Sequence, residues 1–259
     1  MATFLFESIV FGPVFSRRLG QSLGLNILPV NSKFCNFNCI YCECGLTNYE
    51  KQNSFTLPSR NEIYNELESS LKKLIESKTK IDTITYAGNG EPTIHPEFSN
   101  IVNDTVKLRN TYLPSAKIAV LTNATTVNQD KIRSALQKVD LSILKLDSVF
   151  EETIQILNCP RGKFDLNKTL ETFKTFGEKL IIQSLFVKGE FNNIYVDNTT
   201  DKEIDAWTHT IKKLKPSLVM IYTIERDTPY SGLRKINPEK LEEIAAGIHK
   251  SGIKTQVSY

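Results

Sequence analysis

From residue 57 onward, the hydrophobic positions of the chain alternate between a helical spacing and short β-branched runs. Apolar residues three and four positions apart predict helices near residues 59, 96, 128, 166, 200 and 238. Six apolar runs predict strands near residues 25, 84, 119, 143, 183 and 219, and an irregular stretch follows the fourth of them to residue 162. Strands separated by helices pair in parallel through right-handed crossovers, so the pattern predicts an α/β fold.

The number of predicted strands limits the architecture. Six parallel strands are too few to close an eightfold barrel, so we expect an open or partial barrel with its chemistry in the loops after the strands. No linker or internal repeat divides the 259 residues, which predicts a single domain. Within it we expect an N-terminal extension and first strand over residues 1–30, a core barrel over 31–225 and a C-terminal helix and tail over 226–259.

Composition narrows the class of protein. Hydrophobic residues make up 40% of the chain and charged residues 24%, which excludes a disordered or low-complexity protein. The net charge of +3 is too small to identify a nucleic-acid-binding or membrane-surface protein. No apolar run approaches the roughly 20 residues of a membrane helix, and the N-terminal segment meets an acid at Glu7 without a preceding basic region. We therefore expect a cytoplasmic protein with no membrane partner.

The cysteines are clustered rather than spread through the chain. Four of the five lie within ten residues, at Cys35, Cys39, Cys42 and Cys44, while Cys159 is distant in sequence. A disulfide scaffold would distribute an even number of cysteines through a short secreted chain. The cluster therefore predicts a metal site.

The spacing of these cysteines favours one kind of metal site. C-x3-C-x2-C at Cys35, Cys39 and Cys42 supplies three thiolates for three irons of a cubane iron–sulfur cluster, and leaves the fourth iron open. The alternative is a zinc knuckle in which Cys44 is the fourth ligand. Zinc sites usually pair C-x2-C with a second ligand pair across a sizeable loop, and this sequence has no such pair.

Two motifs resemble one known family. Cys35 to Cys42, with the aromatic Tyr41 before the last cysteine, resembles the signature of radical S-adenosylmethionine (radical SAM) enzymes, whose fold is a partial (βα)6 TIM-like barrel. Gly88-Asn89-Gly90-Glu91-Pro92 ends the second predicted strand and is similar to that family's Gly-Gly-Glu-Pro motif, with Asn89 inserted. Residues 11–24 and 223–229 resemble the wyosine-synthase-like Fe–S oxidoreductase branch.

The resemblance implies a mechanism and its cofactors. A 4Fe-4S cluster held by Cys35, Cys39 and Cys42 would reductively cleave S-adenosylmethionine to a 5′-deoxyadenosyl radical, which abstracts hydrogen from a substrate. A low-potential electron donor such as flavodoxin or ferredoxin is implied as a partner. The substrate stays open between an RNA base, as in tRNA modification, and a small metabolite or peptide. A hypothesis of another class is a non-catalytic, metal-stabilised RNA-binding protein.

The resemblance also implies which residues surround the cofactor. Backbone at the glycines could approach it closely, and we expect the Glu91 carboxylate to pair with its ammonium group. The expected cofactor-binding residues are Tyr41, Gly88, Asn89, Gly90, Glu91, Pro92, Thr122, Asn123, Asp147, Gln183 and Tyr222.

Six further assignments concern catalysis and the substrate. Lys145, Asp147 and Cys159 are candidate catalytic residues, although the first two could instead form an internal ion pair at the barrel mouth. Arg17, Arg18 and Arg226 flank the predicted mouth, where a guanidinium could bind a phosphate or carboxylate of the substrate.

The three-ligand hypothesis predicts the iron content of cysteine variants. We expect Cys35→Ala, Cys39→Ala and Cys42→Ala each to lose iron, because each removes one of only three protein ligands. Cys44→Ala should keep its iron. The measurement is iron per chain after anaerobic reconstitution, and iron loss in Cys44→Ala would contradict three-cysteine ligation.

Overall fold

The computed structural model describes residues 4–50 and 55–259 as a curled, mainly parallel sheet with helices packed on one of its faces. Neighbouring strands follow the order β1-β2-β3-β4-β5-β6-β8-β10, with β7 and β9 paired to β6. The strands are β1 (Val10–Ser16), β2 (Gly20–Leu25), β3 (Thr83–Tyr86), β4 (Lys117–Thr122), β5 (Leu141–Lys145), β6 (Leu180–Phe191), β7 (Ile194–Asp197), β8 (Leu218–Thr223), β9 (Leu233–Lys235) and β10 (Thr255–Ser258).

Helices connect the parallel strands, as the apolar spacing predicts. The first begins with a capping box, in which the Ser59 hydroxyl accepts a hydrogen bond from the Glu62 backbone and the Glu62 carboxylate accepts one from the Ser59 backbone. The helices are α1 (Arg60–Glu76), α2 (Phe98–Tyr112), α3 (Asp130–Leu136), α4 (Glu151–Asn158), α5 (Leu166–Lys174), α6 (Asp201–Leu214) and α7 (Pro238–His249).

All six predicted strands are present, as β2 to β6 and β8, and they pair in parallel. The α/β class and the partial-barrel architecture are confirmed. The sheet is wider than predicted, because β1 pairs antiparallel with β2 at one edge and β10 pairs parallel with β8 at the other. The additional strands are short or partly exposed, so no apolar run in the sequence predicts them; they are β1, β7, β9 and β10.

Two local expectations were wrong. The stretch after β5 is not irregular throughout, because α4 occupies residues 151–158 and buries Ile154 and Leu157. A helix of eight residues offers few repeats of the apolar spacing, which explains why the pattern did not reveal it. The helix predicted near residue 128 begins at Asp130, and its N-cap is Gln129 rather than Asn128.

All three predicted parts of the chain contribute strands to the same sheet. Residues 4–30 contribute β1 and β2 to the sheet, and residues 226–259 contribute β9 and β10 as well as the expected C-terminal helix. Residues 1–3 of the predicted N-terminal extension lie outside the described residues. The division into these three parts stays a prediction. Among the helices described, none has both the length and the apolar character needed to cross a bilayer.

Strand alternation divides the core between the two faces of the sheet. Outward residues such as Ile84, Val120 and Ile182 belong to the large cluster beneath the helices. A smaller cluster occupies the inner face, made of Ala119, Ile143, Ile181 and Met220. Polar residues replace these apolar ones toward the C-terminal ends of the strands, so the inner face can support chemistry at that end.

A backbone contact fixes the loop after β2 against the loop after β3. The Phe34 N–H donates to the Asn89 carbonyl at 2.7 Å, and the Glu91 N–H donates to the Phe34 carbonyl at 3.1 Å. Gly90 lies between these bonds with a φ of +144°, and a Cβ there would stand 1.9 Å from the Phe34 carbonyl oxygen. Both the backbone conformation and the lack of space therefore require glycine at this position.

Gly90→Ala tests this contact. We expect it to lower the free energy of unfolding by about 2–4 kcal/mol, because the methyl group must displace backbone and the φ is strained. Gly247→Ala is the matched control, since a Cβ at this helical position meets no heavy atom within 4 Å. The control should be neutral or more stable by up to about 1 kcal/mol. Urea unfolding measures both, and equal stabilities of the two variants would refute the requirement.

Candidate functional site

The cysteine loop, residues 35–44, lies above the C-terminal end of β2 and is held by α4. The Ile40 N–H donates to the Leu157 carbonyl, and the Asn38 N–H donates to the Asn158 carbonyl, both at 3.0 Å. Cys35 and Cys39 are 8% and 7% exposed and share one buried cluster with Cys42 at its border. The fold thus brings the three predicted thiol ligands together in a site largely shielded from water.

Amide groups point at the sulfur atoms of this loop. The Phe37 backbone N–H lies 3.4 Å from Cys35 Sγ, and the Asn123 side-chain amide lies 3.7 Å from the same sulfur. The Asn158 amide lies 3.4 Å from Cys39 Sγ. Such donors stabilise negative charge on sulfur, and hydrogen bonds to sulfur tune iron–sulfur clusters.

Lys33 places a buried positive charge at the same loop. It is 5% exposed, and its Nζ donates to the Gly45 carbonyl at 2.8 Å. Burial alone would lower its pKa, but the thiolates of Cys42, Cys35 and Cys39 outweigh that effect and raise the pKa above its usual range. The ammonium group therefore offsets negative charge in the loop. The sequence analysis missed Lys33, whose one signal was its place two residues before the first cysteine.

The donor set fits an iron–sulfur cluster better than a single zinc ion. A zinc knuckle needs its ligands about 2.3 Å from one ion, whereas a cubane cluster spreads its thiolates over separate irons. No three His, Cys, Asp or Glu side chains within residues 4–50 and 55–259 are placed to hold a single metal ion. The Cys44 thiol instead donates to the Gly88 carbonyl at 3.5 Å, and its proximity lowers the pKa of the Cys42 thiol. Cys44 thus supports a thiolate beside it.

Glu91 joins the ends of two neighbouring strands. It is 2% exposed, and one carboxylate oxygen accepts hydrogen bonds from the Thr93 N–H at 3.0 Å and the Thr122 hydroxyl at 2.7 Å. The other oxygen accepts from the Asn123 N–H at 2.6 Å. The Thr93 hydroxyl also donates to the first oxygen, so three internal donors fill that oxygen, whereas the second accepts from the Asn123 N–H alone. The expected contact of Glu91 with the cofactor stays a prediction.

The rest of the Gly88–Pro92 loop also faces protein. Asn89 is fully buried, and its side-chain amide donates to the carbonyls of Phe6 and Pro29 at 2.9 and 2.8 Å. Gly88 lies so close to Asn26 that a Cβ would stand 2.3 Å from its side-chain oxygen. The inserted asparagine of the motif therefore anchors the N-terminal segment beneath the loop.

A second cluster of polar side chains connects the cysteine loop to the ends of β5 and β8. Lys145 and Asp147 form an internal ion pair, with 3.3 Å between Nζ and Oδ2. This is one of the two possibilities that the sequence analysis left open for them. Burial and the Asp147 charge raise the pKa of Tyr41, so its hydroxyl stays protonated and donates a hydrogen bond to this carboxylate. Asn158 donates to both Tyr41 and Asp147 at 2.8 Å. Lys145 also reaches the Tyr222 hydroxyl at 3.4 Å.

Gln183 and Cys159 border this network. Gln183 is 7% exposed and lies beside Lys145 in the sheet register, level with the end of β5, and its expected contact with the cofactor stays a prediction. The Cys159 thiol lies next to the cysteine loop and donates to the Ile156 carbonyl at 3.2 Å. Burial raises the pKa of Cys159 to about 11, so the thiolate is disfavoured and nothing here supports a nucleophilic role.

The three candidate arginines are engaged with groups of the chain itself. Arg17 forms an ion pair with Glu225, and Arg226 forms one with Glu43 at 3.2 Å. The Arg18 guanidinium lies 4.7 Å above the centre of the Tyr222 ring. These contacts place Arg17 and Arg18 where the β1 edge of the sheet approaches β8, and acidic partners neutralise Arg17 and Arg226.

Comparison with known proteins points to one family. A family model described as the Radical SAM superfamily matches residues 32–206. A UPF0026 protein of Methanocaldococcus jannaschii is 31% identical over 240 residues, which cover 92% of this chain and 69% of that protein. A protein named GTPase Obg from Brachyspira hyodysenteriae is 29% identical over 238 residues, but the chain spans only 32% of its length.

Solved structures share the fold. A radical SAM methyltransferase from Sphaerobacter thermophilus superimposes with a TM-score of 0.66 at 13% identity, covering 92% of this chain and 66% of that chain. A structure of TYW1 with a lysine-pyruvate adduct bound gives 0.63 at 10% identity, covering 88% and 73%. These structures confirm the fold. The family-model match confirms the prediction of an enzyme that uses a 4Fe-4S cluster and S-adenosylmethionine, and it disfavours the alternative of a non-catalytic RNA-binding protein.

Replacing Lys33 tests its role at the cysteine loop. We expect Lys33→Met to retain less than about half of the iron of the wild type after reconstitution, because three neighbouring thiolates lose their buried countercharge. Lys80→Met is the control, since that side chain is 87% exposed. Iron and sulfide analysis with the visible absorption spectrum measures retention. Full iron content with an unchanged spectrum in Lys33→Met would show that the ammonium group is dispensable.

Proposed function

The chain belongs to the radical SAM superfamily and to its UPF0026 proteins, and from this premise we propose that the cysteine loop and the adjoining strand ends form one catalytic centre acting on an RNA base. The observation that carries the proposal of a single centre is the hydrogen-bond network shared by the cysteine loop and the strand ends. Asn158 donates both to Cys39 Sγ and to the Asp147 carboxylate, so the cysteine loop and the end of β5 are positioned together.

The residues divide into groups with different tasks. Cys35, Cys39 and Cys42 would hold three irons of the cluster, with Lys33 and the amide donors offsetting its negative charge. When bound, the cluster and S-adenosylmethionine supply the radical that abstracts hydrogen from the substrate. Glu91 would act by positioning the ends of β3 and β4 rather than through a free carboxylate, because its oxygens already accept hydrogen bonds from the chain.

The polar network at the strand ends would orient the adenosylmethionine. Lys145 neutralises Asp147, while Tyr41 and Asn158 hold its carboxylate in place. Hydrogen-bonding groups at Thr122, Asn123, Gln183 and Tyr222 would contact the ribose and carboxylate from neighbouring strands. In this arrangement Lys145 remains charged, because Asp147 outweighs the cost of burial and raises the pKa of Lys145. That charge suits it to orient a ligand, not to form a covalent bond with one.

A separate low-potential electron donor, such as flavodoxin or ferredoxin, would reduce the cluster. RNA is favoured as substrate by the resemblance of residues 11–24 and 223–229 to wyosine-forming enzymes. A small metabolite or a peptide is the alternative, and it requires no phosphate contact.

The test is anaerobic incubation of reduced protein with adenosylmethionine and bulk RNA from cells. Deuterium transfer from labelled RNA into 5′-deoxyadenosine is expected, whereas transfer only from small-molecule or peptide fractions would refute the RNA assignment.

Glu91→Gln tests the positioning role. The amide group would turn an N–H toward a backbone or hydroxyl donor, so we expect adenosylmethionine to bind about ten- to a hundredfold more weakly, equivalent to about 1.5–3 kcal/mol. Glu97→Gln is the matched control, because Glu97 is exposed. Calorimetric titration of reconstituted protein under anaerobic conditions measures the dissociation constants. Unchanged affinity in Glu91→Gln would remove this carboxylate from the site.

A further inference from the structure

A cavity of about 360 Å³ opens beside the cysteine loop. Its wall is formed by Asn36 of that loop, by Thr125 and Asn128 after β4, and by the segment 160–169 around the start of α5. The volume lies within the range of pockets that hold small ligands, which is about 300–1,000 Å³. None of the residues expected to contact the cofactor belongs to this wall.

The cavity carries an excess of positive charge. Arg161, Lys163 and Lys168 line it, against one acid, Asp165. That acid caps α5 by accepting a hydrogen bond from the Lys168 backbone N–H at 2.9 Å. Across residues 4–50 and 55–259, the Lys163 and Lys168 ammonium groups have no acidic partner within 4.0 Å. These two lysines thus remain available to an anionic ligand, in contrast to the paired Arg17 and Arg226.

The cavity is adjacent to the strand-end network. Phe37 and Phe164 line both this cavity and a much smaller one, of about 10 Å³, that reaches Asn123 and Asp147. Their rings pack edge to face with centroids 5.6 Å apart. A ligand with its anionic group in the outer cavity therefore has an aromatic pair between that group and the candidate catalytic centre. Aromatic rings are the usual partners of nucleobases in proteins that bind single strands.

We propose that this cavity binds a phosphate group of the substrate, through Lys163, Lys168 and the side-chain amide N–H groups of Asn128. The inference rests on the proposed function, and it relocates the phosphate contact from the arginines at the barrel edge to the lysines beside the cysteine loop. A phosphate accepts charge-assisted hydrogen bonds from lysine ammonium groups. The ligand is the phosphate of a nucleotide unit, whether it belongs to an RNA strand or to a free nucleotide.

The test compares Lys163→Gln/Lys168→Gln with Lys212→Gln/Lys213→Gln, an exposed lysine pair on α6 that serves as matched control. The probes for reconstituted protein are a short single-stranded RNA, guanosine 5′-monophosphate and unphosphorylated guanosine. We expect the first variant to bind the RNA at least about tenfold more weakly at low salt. Its slope of log affinity against log salt should be shallower by about 0.7, because the contact with one phosphate is lost. The control should match the wild type.

The nucleotide probes separate the sources of the phosphate. Lysine-dependent binding of the RNA alone supports a strand, and lysine-dependent binding of the monophosphate but not guanosine supports a free nucleotide. Equal binding of all phosphate probes by the wild type and the cavity variant would overturn the proposal. So would an equal loss of adenosylmethionine affinity in that variant, which would assign the cavity to the cofactor. Failure of the wild type to produce 5′-deoxyadenosine would refute the proposed function while these binding measurements still decide the phosphate site.

Discussion

The close backbone contact between Phe34 and Gly90 is the constraint on which the candidate site depends. It fixes the start of the cysteine loop against the loop that carries Glu91, and it requires a residue without a side chain. Glu91 then extends the same alignment to the end of β4 through Thr122 and Asn123. Buried hydrogen bonds therefore align three segments that are far apart in sequence. These hydrogen bonds determine the geometry of the site.

Much of this site could be predicted from short-range sequence features. The spacing of Cys35, Cys39 and Cys42 depends on one short loop, and strand periodicity located the six central strands. The capping box at Ser59 involves residues three positions apart, so its geometry follows directly from the sequence. In each case the interacting groups are close neighbours along the chain, so their interaction can be predicted from the sequence without knowledge of the fold.

The features that escaped prediction depend on which distant segments meet. Asn158 matters because α4 lies against the cysteine loop, and α4 itself was not predicted. The spacing of Thr200 and Glu203 fits a capping box, but the Glu203 carboxylate instead accepts a hydrogen bond from Ser148 at 2.7 Å, 55 residues away. The ion pair of Arg17 with Glu225 likewise joins residues 208 positions apart. Sequence spacing alone carries no information about such encounters.

The role of Asn158 has a consequence for protein engineering. Its side-chain amide nitrogen lies within hydrogen-bond distance of a cysteine sulfur, a tyrosine hydroxyl and a carboxylate on different segments. Grafting the cysteine motif into another barrel as a continuous peptide would therefore transfer the thiols without the amide that orients them. A working transplant has to include the C-terminal turn of α4, so the smallest portable unit of this site is discontinuous in sequence.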